Sequence, residues 1–212
     1  MPQIARPFRR DVRSTPTRAL VVYCHPLPTS FVAAARDRVL AGLATTDADV
    51  RLFDLYAEGF VPEFSATERM AHLEPGTDPD IDEHAEALRW CDTLILVYPT
   101  WWAGQPAMLK GWFDRVWASE VAWSLPDGAN RLQPRLRNVK RIVAITTHGS
   151  PKYINAVEGE GGKRTLTRAL RAMCHPFCRV DWVALYGADR CNDATRAKFL
   201  DRVEARVMSL TR

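Results

Sequence analysis

Residues Thr93 to Val116 read TLILVYPTWWAGQPAMLKGWFDRV. Thr93 to Tyr98 is a short apolar run bounded by turn residues, the pattern of a strand buried on both faces. Pro99 breaks it. A short loop follows with Trp101, Trp102 and Gly104, and Pro106 opens an amphipathic helix over about Ala107 to Ala118. In open α/β sheets, ligands bind beyond the carboxyl ends of the strands. A strand that delivers two tryptophans there, just ahead of a helix start, suits a flat aromatic ligand.

The same strand-then-helix grammar repeats on both sides. Ala19 to Cys24 (ALVVYC) is a second buried-strand run. Thr29 or Ser30 caps a helix to about Leu43, with Phe31, Ala35, Val39 and Leu43 on one face. Val50 to Leu55 alternates and reads as a strand. Tyr56 to Asp80 is a polar excursion, followed by a helix over Ile81 to Trp90 whose start carries Asp78, Asp80, Asp82 and Glu83. A second irregular insertion spans Glu120 to Asn138. Val139 to Thr147 and Val180 to Tyr186 complete the strands, with helices over Gly162 to Met173 and Asp193 to Met208. Five strands alternating with helices predict an α/β fold with one parallel sheet covered on both faces. Right-handed crossovers in a chain of this size favour the flavodoxin-like order 2-1-3-4-5. Residues 18–212 form the expected single domain. Residues 1–17, with Pro2, Pro7, Pro16 and arginines at 6, 9, 10 and 13, read as an irregular basic arm.

Composition narrows the classes further. The chain of 212 residues is 47% hydrophobic and 25% charged, enough to bury a core without disulfides or metals. A net charge of +4 is mild, and the basic arm is read as a solvated extension, not a nucleic-acid site. Five scattered cysteines form no disulfide framework, so a reducing, cytoplasmic setting is expected. No window approaches the roughly 18 apolar residues of a membrane span, and the N-terminal arginines precede no apolar core of a signal peptide. Cys174-His175-Pro176-Phe177-Cys178 offers too few ligands for a zinc site, so buried thiols and no metal are expected. Glu158 to Lys163 lacks the strand context of a phosphate loop and reads as a mobile lid.

In the 2-1-3-4-5 topology the loops after strands one, three and four meet at one edge. The first holds His25, Thr29, Ser30 and Phe31. Its hydroxyls sit at a helix N-terminus, where free N–H groups and the dipole favour a phosphate. On this loop alone an ordinary capped helix explains the residues equally well. A phosphatase loop is rejected, because Ser30 stands where an arginine must follow Cys24. The second loop, Pro99 to Pro106, can offer backbone N–H groups to the polar edge of an isoalloxazine and an indole to its apolar part. Gly104 permits close approach. Alone, the tryptophan pair fits a core plug or a dimer contact as well. The third loop, Thr146 to Tyr153, adds several donors and one aromatic.

Together the three loops resemble the flavodoxin-like NAD(P)H:quinone oxidoreductases. The carriers are the Pro99–Val116 signature P-x-x-W-x-G-x-P-A-x-L-K-G-W-F-[DE]-R-V, His25 with Thr29-Ser30-Phe31, and the Thr-Thr-x-Gly-Ser run at 146–150. The similarity spans about Arg18 to Arg206. It implies a flavin whose phosphate is held by His25, Thr29, Ser30 and Phe31. Pro99, Thr100, Trp101, Trp102 and Ala103 would line the ring, and Thr146, Thr147, His148 and Gly149 would bond its pyrimidine side. Tyr153 would face the nicotinamide or quinone pocket. The mammalian member has an aromatic at Ala103, a glycine at His148 and a histidine downstream of the tyrosine; here Asn155 to Glu160 holds none. His148 therefore joins Tyr153 as the candidate catalytic pair. Val32 replaces an asparagine of the FAD-binding mammalian member, which favours FMN over FAD. The resemblance further implies NAD(P)H as co-substrate, a quinone-type acceptor and a homodimer without stable membrane insertion. Its alternatives are a flavin-binding ancillary subunit of a cation efflux transporter and an azo- or nitroreductase.

Overall fold

The computed structural model describes residues 15–73 and 78–211. The basic arm expected at the N-terminus lies outside the described residues up to position 14. The elements are β1 (Arg18–Tyr23), α1 (Phe31–Ala44), β2 (Asp49–Asp54), α2 (Ala66–Met70), α3 (Asp82–Trp90), β3 (Thr93–Pro99), α4 (Ala107–Val116), β4 (Trp123–Ser124), β5 (Gln133–Pro134), β6 (Arg141–His148), α5 (Lys152–Val157), α6 (Gly161–Arg164), β7 (Arg179–Tyr186) and α7 (Asp193–Met208). Five strands form a parallel sheet in the order β2-β1-β3-β6-β7. This is the expected 2-1-3-4-5 order, since β4 and β5 are a separate short pair inside the second insertion.

The pleat explains both cores. Leu20, Val22, Leu94, Leu96, Ile142 and Ala144 face one side and pack with Leu88, Leu109 and Trp112. Val21, Ile95, Val97, Val143 and Ile145 face the other and pack with Val32, Val39, Val203 and Val207. All seven residues of the central β3 are buried, which is why its sequence is almost entirely apolar.

The first excursion is riveted to α4. Arg115 donates from Nε to Glu68 Oε1 at 2.6 Å and from Nη1 to the Val61 carbonyl at 2.7 Å. Its side chain is 5% exposed. Gly111 brings the α4 backbone so close to Pro62 that a Cβ there would overlap the Pro62 carbonyl and ring. On the same helix, the Trp112 indole N–H donates to His84 Nδ1 at 3.2 Å. Gly111 and Arg115 of the opening stretch thus hold the polar excursion to the core, and Trp112 ties α4 to α3.

Two expected elements take a different form. The helix predicted over Gly162 to Met173 is α6 followed by a π-helical segment, Thr165–Leu170. Thr165 and Thr167 donate their hydroxyls to the carbonyls of Gly161 and Lys163 at 3.1 and 2.8 Å, competing with the regular ladder. The segment read as a lid is fastened down instead. Gly162 N–H donates to the Ala103 carbonyl at 2.9 Å, and Gln105 Nε2 donates to the Gly162 carbonyl at 2.8 Å.

Candidate functional site

Parallel register carries the first, second and third loops to one edge. Pro99 pairs with Thr147 at the end of the β3–β6 ladder, and Thr100 N–H continues it by donating to the Thr147 carbonyl at 2.8 Å. Beside them β1 ends at Tyr23, and Cys24 N–H donates to the Val97 carbonyl at 3.0 Å. Between the loops lies a cavity of about 750 Å³.

His25, Ser30, Phe31, Pro99, Thr100, Trp101, Trp102, Thr147 and Gly149 line this cavity. Thr29, Ala103, Thr146, His148 and Tyr153 do not. Thr29 sits exposed in the first loop. Ala103 turns toward α6, its carbonyl held by Gly162. Thr146 and His148 are buried beneath the loops. Tyr153, on α5, is 69% exposed. Val32, Ala188, Asp189 and Arg196 complete the lining, and the sequence reading did not name them as lining residues. Ala188 and Asp189 follow β7 at the same carboxyl edge, and Arg196 lies in the first turn of α7. Tertiary packing brings them there: Phe31 of α1 and Phe199 of α7 pack at 5.9 Å, so these helices lie side by side.

At the phosphate-friendly end, Ser30 is the N-cap of α1, its Oγ accepting from Ala33 N–H at 3.1 Å. The serine therefore orders the helix start, and leaves the other first-turn N–H groups and the positive end of the dipole at this edge of the cavity. His25 Nδ1 accepts from Leu27 N–H at 3.0 Å. Burial lowers its pKa, so at neutral pH the ring is uncharged, with its proton on Nε2 as a donor. Arg196 adds positive charge. Cys24 is fully buried and its thiol is pushed up to about 12 by burial, which removes it as a nucleophile.

The second loop carries the unusual backbone. Trp101 N–H donates to the Gly104 carbonyl at 3.1 Å, and Gly104 N–H donates back at 3.0 Å. Trp102 and Ala103 between them have φ of +48° and +57°. Two positive φ values inside a two-residue hairpin are the mark of a type I′ turn, which asks for Asn-Gly or Gly-Gly. Gly104, expected to permit close approach, has no such φ, and its backbone lies against Gly162; the tryptophan and alanine carry the strain. Trp102 extends wholly into solvent at the cavity wall.

A model of the flavodoxin-like fold matches residues 17–210. The chain belongs to this flavodoxin-like family. NAD(P)H dehydrogenase [quinone] 1 of Cavia porcellus is 31% identical over 178 residues, covering 76% of this chain and 64% of the relative. The chain thus spans just under two thirds of the length of that relative. An uncharacterized NAD(P)H oxidoreductase of Escherichia coli is 31% identical over 159 residues, covering 74% of this chain and 76% of the relative. Among solved structures, NAD(P)H:quinone oxidoreductase from Methanothermobacter marburgensis superposes with a TM-score of 0.78 at 22% identity, covering 92% of this chain and all of that one. Among the described residues of this flavodoxin-like protein, no helix is long and apolar enough to cross a membrane.

Proposed function

We propose that this protein is a flavin-dependent NAD(P)H:quinone oxidoreductase whose flavin lies in the cavity at the carboxyl edge of the sheet. The observation that carries the reading is the convergence of an α1 N-terminus, a strained tryptophan turn and the Thr147–Gly149 loop on one cavity. The residues fit the group. One helix N-terminus with the His25 donor and Arg196 suits a single phosphate, hence FMN over FAD. Thr100, Trp101 and Trp102 supply a flat wall. Thr147 and Gly149 bring donors and acceptors to the polar rim.

A bound flavin supplies hydride transfer, accepting from NAD(P)H and passing on to the acceptor. The chain orients it. Backbone N–H groups after β6 stabilise charge on the pyrimidine side, and Pro99 with Trp101 keeps water from the apolar side. Tyr153 carries a hydroxyl able to donate to an acceptor oxygen. His148 lies behind the wall and acts through Thr100. The exposed Trp102, Tyr153 and Val157 give a second copy of the chain an apolar surface to cover, consistent with a homodimer.

The test is direct. The purified protein is expected to show a flavin spectrum, or to acquire one on addition of FMN, and to oxidise NADH or NADPH with menadione as acceptor. A protein that takes up neither FMN nor FAD overturns the reading.

A further inference from the structure

Four buried or half-buried side chains at and behind the cavity wall form one hydrogen-bond chain whose direction can be worked out. His148 is 4% exposed. Its Nδ1 is 2.6 Å from Asn155 Oδ1, and its Nε2 is 3.4 Å from Thr100 Oγ1. The Asn155 amide nitrogen donates to the carbonyls of Ser150 and Pro151 at 3.1 and 2.9 Å. Turning that amide over would set its oxygen against two carbonyls, so Oδ1 faces the ring and Nδ1 carries the proton. Nε2 is then an acceptor, and the Thr100 hydroxyl donates to it. Thr146 Oγ1, 2.9 Å from Thr100 Oγ1, donates to Thr100 in turn. The chain runs Thr146 to Thr100 to His148 to Asn155 to the two carbonyls. Of its side chains, only Thr100 lines the cavity.

We propose that His148 is a positioning residue: through Nε2 it sets the direction of the Thr100 hydroxyl, and so decides whether the cavity wall offers a donor or an acceptor there. With neutral His148, the Thr100 proton is spent on the ring and the cavity meets an oxygen lone pair. With His148 protonated, both ring nitrogens donate. Thr100 Oγ1 then accepts from His148 and Thr146, and its own proton turns to the cavity. A ligand N–H is favoured in the first state, and a ligand carbonyl or ring nitrogen in the second.

The surroundings place the switch on the acid side. Tyr186 stacks on the imidazole at 4.5 Å and Trp182 lies at 6.0 Å, both from β7. Glu158, Glu160 and Lys163 act from the α5–α6 side, with Glu160 pairing to Lys163 at 2.9 Å and accepting from the Tyr186 hydroxyl at 3.0 Å. Burial lowers the His148 pKa, and the Asn155 bond and the two carboxylates offset it in part.

This inference rests on the cavity being the flavin site, and its test separates the two. Riboflavin is the probe, because the FMN phosphate itself titrates near about pH 6. Wild-type affinity is expected to change by about fivefold between about pH 7.5 and pH 5.5, the worth of one net hydrogen bond. H148Q and T100V are each expected to abolish the excess change; T100V keeps the question open to test if H148Q does not fold. Nitrogen-15 spectra of the ligand-free protein should show neutral His148 protonated at Nδ1. The Nε2-protonated tautomer overturns the proposal, as does an equal pH slope in wild type and T100V. Failure of wild type to bind either flavin overturns the flavin site and this inference with it.

Discussion

The two halves of Thr93–Val116 behave in opposite ways. The loop half places Trp102 in solvent and bends Trp102 and Ala103 into positive φ, where each Cβ costs about 1–2 kcal/mol. The helix half is buried and relaxed: Trp112 is fully enclosed, Arg115 is bonded on two sides, and Gly111 lets the excursion approach. One motif therefore carries a strained ligand wall and the rivet beneath it. Strain of this kind persists only where neighbours over-determine it. Here the neighbour is α6, through the bond from Gly162 to Ala103.

One methyl tests both halves: adding it to the helix half should destabilise, and removing it from the loop half should stabilise. In the helix half, Gly111→Ala adds a Cβ that overlaps Pro62. Helix propensity alone favours alanine by about 1 kcal/mol. The backbone overlap outweighs this, and we expect a net loss of about 3 kcal/mol. For a chain of this size that is roughly a 6–12 °C drop in melting temperature. Unchanged or raised stability would show that the excursion is not held against α4.

This helix half also shows what the sequence could and could not disclose. The strand order was legible because strands alternate with helices along the chain, and β3 marks the sheet centre by lacking any exposed position. The three loops were legible because helix starts and broken strands fall at known points of such a fold. The roles of Gly111 and Arg115 were not, since they depend on where a polar excursion folds back. Neither were Asp189 and Arg196, which reach the cavity through the packing of α7 on α1. The strain of the second loop was not legible either, since it sits on Trp102 and Ala103, two residues that no propensity scale would place there.

In the loop half, Ala103→Gly removes a Cβ from a left-handed position. Glycine adopts that backbone freely, and the relief exceeds the extra entropy of the unfolded chain. We expect ligand-free protein to gain about 1 kcal/mol, or roughly 2–4 °C. A loss of stability in thermal melts would mean that the turn is not strained. The comparison between the halves would then reduce to exposure alone.

The smallest effect belongs to the rivet and depends on pH. Glu58 accepts from Asp54 N–H at 2.9 Å and lies 3.8 Å from Nε2 of His84, the histidine that Trp112 holds. Burial pushes its carboxyl up to about 7 from an ordinary 4.5, more than the Asp54 bond pulls it down. A carboxyl raised on folding binds its proton more tightly in the native state. Its contribution is therefore complete below about pH 4.5 and fades as pH rises through about 7. Glu58→Gln is uncharged throughout and should escape that loss. The melting temperature of the variant relative to wild type should thus climb between about pH 4.5 and 7 and level off above. The Glu58 side chain is 36% exposed, so screening should hold the whole change under about 1 kcal/mol. A difference that stays flat across that window would place Glu58 in open solvent and leave Arg115 and Gly111 to fasten the excursion without it.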